Sequence, residues 1–350
     1  MKNQHNQVIN IEYRGVYMRY KFFLSLFLVF GILLTPFFVT AHVKWFTELE
    51  PQKESIEQII DPPFLIITFL SAIILAVLPQ VLPKLMSWGP FKKMDMKLES
   101  YRSYSTSILK YGTAAALVLQ VLTGSLFAPE LSHYSTLLTI LSWVAIACLL
   151  IPNSFVTKMG ALVLLVLFGV MIVDYGIFHM LDYAFYLAII FVLFMTKTTY
   201  EKWSFPFLYL ATGLSLCWVA VEKWVYPEMS VDIVTNHQVP TFFFSPETFV
   251  SLSAFIEFIV GYLLIVGILN RLLSFVLTGV FVMTTMLFGW VEVVGHFMIH
   301  IVLIIFIIEG ISFYKPPIKI HKTVFDQMIF VFLNFIFVLA TILLIYYRFA

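Results

Sequence analysis

The chain is expected to be all-α, a polytopic transmembrane helical bundle of about eleven spans. Three features of the sequence predict this class. The first is composition: 61% of the 350 residues are hydrophobic and 12% charged, with a mean hydropathy of +0.95. Soluble domains carry about a quarter charged residues, and a globule of this length has too little interior for so many apolar side chains. Secreted, fibrous, disordered and nucleic-acid-binding classes are thereby excluded, and the lipid bilayer is the solvent and first partner. The second feature is that the apolar runs are continuous rather than alternating, which selects helices over barrel strands. The third is the distribution of lysine and arginine among the loops.

The apolar runs fall at 22–43, 64–86, 105–128, 135–152, 157–176, 182–197, 204–222, 247–268, 272–291, 296–313 and 324–347. Charges, prolines or polar turns bound each of them. With the N-terminus in the cytoplasm, only Lys44, Lys53, Lys223 and Arg348 of the 21 cations face outward. The outer loops instead collect Glu48, Glu50, Glu54, Glu57, Asp61, Glu228, Asp232 and Glu247. A plasma-membrane protein with a cytoplasmic N-terminus and an outer C-terminus follows from the positive-inside rule. Cys148 and Cys217 sit apart in apolar runs and read as small buried hydrophobes, since two cysteines make no disulfide framework.

Two outer helix ends look alike. Lys44-Trp45 closes the first span and Lys223-Trp224 the seventh, each followed by a polar loop and then a Leu-Ser-Ala triplet. The matches recur about 180 residues apart, as a duplicated helical unit would require. The expected organisation is a cytoplasmic segment over 1–21, a first bundle over 22–176, a connecting span over 177–203 and a second bundle over 204–350. Residues 17–41 also have the form of a secretory signal, with Val39-Thr40-Ala41 before a cleavage point. Cleavage would leave His42 as an amino-terminal histidine able to chelate copper, and both readings of this segment stay open.

An ionisable residue inside a bilayer costs a few kcal/mol unless it is paired, so each such position is informative. Glu257 falls near the middle of the eighth span. A single helix over the ninth and tenth spans would be about twice the hydrocarbon thickness, so the chain must turn back between them, with Gly295 as the expected turn residue. His296 and His300 then share a face at the start of the tenth span, with Glu292 just before the turn. One carboxylate and two imidazoles can hold a transition metal, orient a quinone head group or shuttle protons. Glu257 and Glu292 are the candidate catalytic residues. Lys223, Trp224, His296 and His300 are the candidate cofactor-binding residues, and His42, His296 and His300 the candidate metal ligands. Glu222, Asp174, His179 and Asp182 are further outer-side polar residues placed to join them.

The stretch from Glu222 to Gly310 resembles the DoxX-like family of small four-helix membrane proteins. Glu257 with Gly261, the apolar run Leu263-Leu264-Ile265-Val266 and the turn Gly267-Ile268-Leu269-Asn270-Arg271 carry the resemblance. They are similar to the family's Glu-x3-Gly, apolar run, Gly-Leu-x-x-Arg pattern. The resemblance implies a helical bundle, associated in some members with quinone-linked sulfur or thiol oxidation, and with the internal repeat it gives an expected pair of DoxX-like four-helix units in parallel. The chain departs from the family in its length, its extra helices and its His42-Val43-Lys44-Trp45 segment. The expected function is therefore support of quinone-linked redox chemistry at the outer face, with a separate redox partner protein. A transporter or copper-handling protein and a non-catalytic assembly subunit are the alternatives, so enzyme status is left open.

Overall fold

The computed structural model describes residues 43–47, 49–50, 52–86, 89–132, 135–310 and 323–350. The expected first span (22–43), the cleavage point after Ala41 and His42 lie outside the described residues. The described chain is helical apart from one short hairpin. In order, the elements are α1 (Pro62–Met86), α2 (Gly89–Glu99), α3 (Ser105–Leu122), β1 (Ser125–Leu126), β2 (Ala128–Ser132), α4 (Thr136–Leu150) and α5 (Ser154–Tyr175). They continue with α6 (Phe185–Met195), α7 (Ser204–Val225), α8 (Pro227–Asn236), α9 (Pro246–Val266), α10 (Asn270–Phe288), α11 (Trp290–Glu309) and α12 (Val324–Phe349).

Seven of the described helices are long and apolar enough to cross a membrane, or eight if the bent pair Ile177–Tyr183 and Phe185–Met195 is one span. The expected total of about eleven is not reached within the described residues, for two local reasons. The run expected to span 105–128 stops as a helix at Leu122, and its tail folds into the hairpin. The helix α4 has 15 residues, about 22 Å at 1.5 Å per residue and short of a hydrocarbon core. Outward faces of the long helices are apolar, as Ile66, Leu165 and Phe337 illustrate, and such surface is stable only against lipid.

The bundle is centred on the antiparallel pair α7 and α9. A Cβ on Gly213 would meet the Gly261 carbonyl, and one on Gly261 would meet the Gly213 carbonyl and the Cys217 sulfur. Backbones approach this closely only where neither residue has a side chain, which is the usual basis of tight helix packing in lipid. Helix α10 packs on α11, α3 on α11, α4 on α5, and α12 lies outermost against α1. Gln80 donates to Gln327 at 2.9 Å across that last contact. At one end of the bundle, Arg271 pairs with Asp95 of α2 and donates to the Ile307 and Ile308 carbonyls at 2.6 and 3.0 Å. A guanidinium on the last carbonyls of α11 caps that helix, and Gly310, with φ of +70°, leaves room for it.

The turn between α10 and α11 corrects the expectation placed on Gly295. The chain reverses at Gly289, whose φ of 72° and ψ of −139° suit a residue without Cβ. Gly295 lies inside α11, and it is glycine because a Cβ there would strike the Trp45 ring. Glu292 therefore does not precede the turn. It sits in the first turn of α11, on the same helix as His296 and His300.

The hairpin is held by a buried glutamine. The Gln120 side chain donates to the Phe127 carbonyl at 3.2 Å and accepts from the Phe127 N–H at 3.0 Å. It also donates to the Tyr186 hydroxyl at 2.8 Å, which ties the hairpin to α6. Gly124 and Phe127 both take positive φ, so the backbone leaves the helical path over these residues.

Candidate functional site

At the opposite end from Arg271, seven segments of the chain surround a small, part-open cavity of about 50 Å3. Its walls include Trp45, Asp182, Tyr183, Thr212, Glu257, Phe281 and His296. The close packing of Gly213 on Gly261 brings α7 and α9 together here, so that Lys223 Nζ lies 2.6 Å from Glu257 Oε1. Both residues are buried, at 1% and 5% exposure. Isolated charges at that depth would be prohibitive, and each makes the other tolerable.

A second acid–base pair comes from α11, where Glu292 meets Nδ1 of His296 four residues on, one helical turn away. The His296 ring is flanked by aromatic rings, with Phe281 stacked at 4.4 Å and Trp45 tilted at 4.9 Å. A third group closes the mouth. Lys44 donates to Asp182 at 2.7 Å and lies 3.1 Å from Glu222. Burial alone would lower the Lys44 pKa, but the adjacent Asp182 and Glu222 carboxylates reverse this and hold it above the usual lysine value. Beside it, the Trp45 indole N–H donates to the Tyr183 hydroxyl at 3.1 Å, and Tyr183 in turn donates to Glu130 of β2.

Three buried polar atoms at this cavity have no hydrogen-bond partner among the described residues: Glu257 Oε2, Asp182 Oδ1 and Thr212 Oγ1. Two acceptors and a hydroxyl left open on one cavity give a guest both acceptors and a donor. Cys217 is inert here, buried at the α7–α9 contact with its thiol on the Phe258 carbonyl.

Of the candidates from sequence, Glu257 and His296 line the cavity, with Lys223 and Glu292 directly behind them. His300 lies one turn further along α11, its ring 6.0 Å from Phe281. Trp224 is not among the cavity's lining residues. Its ring packs on Phe64 and Phe255 at 5.1 and 4.6 Å, and its N–H donates to the Ser251 carbonyl at 3.3 Å. Among the described residues, no three His, Cys, Asp or Glu side chains are grouped to hold a metal ion, and His42 is outside them. Asp182 and Glu222 join the site through Lys44, and Asp174 is not among the residues lining the cavity. Glu130, Tyr183 and Thr212 were not singled out from sequence. The one signal available for Thr212 was its place one residue before Gly213 on a span face.

Long apolar helices around a polar, charge-paired cavity define a multi-pass membrane protein in contact with lipid. Residues 208–290 match the DoxX family model. The matched segment runs from Leu208 of α7 through α8, α9 and α10 to Trp290, and includes Lys223, Glu257 and Arg271. The chain is DoxX-like over this part, and Glu292, His296 and His300 fall just beyond it. No curated protein and no solved structure matches the chain.

Proposed function

We propose that the cavity binds a quinone head group and exchanges protons with it, in support of redox chemistry at the outer face of the plasma membrane. The observation that carries this reading is the convergence of two buried acid–base pairs, Lys223–Glu257 and Glu292–His296, on one part-open, aromatic-walled cavity. The open atoms fit such a guest. The Thr212 hydroxyl is a donor for a ring carbonyl, and Glu257 Oε2 and Asp182 Oδ1 are acceptors for a ring hydroxyl. Phe281 stacked on His296 and Trp45 tilted against it give the cavity an aromatic wall for a planar ring to lie on.

A bound quinone would supply the electron-accepting chemistry. The chain's own part is to hold and move protons. Glu257 takes a proton on its open oxygen while Lys223 compensates the charge when the proton leaves. Glu292 fixes the orientation of the His296 ring through Nδ1. The lysine and arginine distribution supports an outward-facing cavity, and electrons would pass to a separate redox protein at that face.

The test is the quinone content of protein purified in mild detergent, compared with Thr212→Val and His296→Ala. Bound quinone in the native protein that falls at least about tenfold in both variants supports the proposal, a loss on the scale of one buried polar contact. A native protein that carries none, and whose unfolding temperature is unmoved by added short-chain quinone, overturns it. Uptake of some other solute into vesicles, abolished by Glu257→Gln, would replace it with transport.

A further inference from the structure

Glu130 and His179 lie outside the cavity, yet they continue its polar wall to the surface. Tyr183 is buried at 2% exposure, lines the cavity and donates its hydroxyl proton to Glu130. Glu130 Oε1 is in turn 3.6 Å from His179 Nε2. The side-chain exposures rise along this row, with 13% for Glu130 and 25% for His179. Glu130 Oε2 and His179 Nε2 have no hydrogen-bond partner among the described residues, so both retain capacity to take or give a proton. The row is also mechanically fixed. Gln120 pins the hairpin that carries Glu130, and the Tyr175 hydroxyl donates to the Ser132 carbonyl at 2.9 Å, tying β2 to the end of α5. The Tyr175 ring lies 5.8 Å from the His179 ring.

We infer that Tyr183, Glu130 and His179 form the proton route between the cavity and the aqueous surface. Outward transfer needs three linked moves. A cavity proton bonds to the Tyr183 oxygen as the Tyr183 hydroxyl proton passes to Glu130. Glu130 then gives a proton to His179 Nε2. The His179 ring releases one from its other nitrogen to water, and inward transfer is the reverse. Each group ends with the protons it began with, so no co-reactant is needed. This route rests on the proposed use of the cavity as a proton-exchanging site, but its test does not require quinone.

The experiment is infrared spectroscopy of the purified protein in lipid, following the carbonyl stretch of a protonated buried carboxyl that Glu257→Gln removes. After a switch from water to deuterated water, the time for that band to shift reports proton exchange with the surface. Glu130→Gln keeps an acceptor for the Tyr183 hydroxyl but cannot relay a proton, so exchange should slow by about a hundredfold, the scale on which a positioned transfer group matters. His179→Ala should slow it too, Glu130→Asp should restore part of the rate, and exposed Glu228→Gln should leave it unchanged. Exchange as fast as native in both Glu130→Gln and His179→Ala overturns the route, as does a Glu257 that never takes a proton at any pH the fold survives. Quinone content measured on the same preparations separates the two ideas, because the route predicts native content in Glu130→Gln.

Discussion

Lys223 and Glu257 meet at 2.6 Å across the α7–α9 interface, with both side chains buried. A pair of this kind is held together less by net attraction than by the cost of leaving either charge alone. Removing one partner of a buried pair typically costs about 3–5 kcal/mol, whereas replacing both with apolar groups is often neutral. Lys223→Met should therefore destabilise the protein by roughly that much, and Lys223→Met combined with Glu257→Leu should recover most of the loss. Denaturant or thermal unfolding in one detergent, run as a double-mutant cycle, checks it. A double variant as unstable as the sum of the singles would show that the pair is not coupled.

Gly213 and Gly261 set the distance between the two helices. Gly261→Ala adds one methyl where the Gly213 carbonyl and the Cys217 sulfur already stand, and overpacking of this kind costs about 1–3 kcal/mol. Gly279→Ala, on a helix face with open space, should cost little by comparison. Melting temperatures of the two variants give the comparison directly.

Lys44 bridges two carboxylates, and its raised pKa has a defined consequence for pH. A base whose folded-state pKa lies above its unfolded value stabilises the fold fully below the unfolded value, and the contribution is lost as pH rises through the folded one. For Lys44 that loss begins only above the usual lysine value of 10.5. The melting-temperature gap between native protein and Lys44→Met should therefore not close between neutral pH and about pH 10. A gap that closes between pH 7 and pH 9 would contradict the assignment.

Gln120 makes three bonds at the base of the hairpin, and no apolar residue can replace them. Gln120→Leu leaves the buried Phe127 N–H and carbonyl unsatisfied, at a cost of about 1–3 kcal/mol for each group. Because Glu130 rides on this hairpin, protease cleavage within 123–132 should rise in the variant while cleavage elsewhere stays native. Unchanged cleavage would mean that the hairpin is held by its apolar contacts.

Much of the fold and part of the site are legible in the sequence. Apolar composition and continuous runs identify the membrane class, and the long helices fall where the runs do. Glu257, Glu292 and His296 are conspicuous because a bilayer makes each charge expensive, whereas the one-turn spacing of Glu292 and His296 holds only because the reversal falls at Gly289. The errors have physical causes. Gly289 and Gly295 look equivalent in sequence, but one supplies a positive φ and the other an absent Cβ. The hairpin was hidden because Leu126, Phe127 and Ala128 extend an apolar run, and only Gln120 within it hinted at a backbone needing partners. Lys44–Asp182 and Tyr183–Glu130 join residues far apart in the chain, and no local pattern encodes such pairs.

The reversal at Gly289 leaves Glu292, His296 and His300 on a single helical rod. An α-helix resists bending over two turns, so these groups share one rigid lever rather than occupying two hinged arms. A small roll or slide of α11 against α10 carries all three in concert, and the acid cannot change its bearing without turning the imidazoles as well.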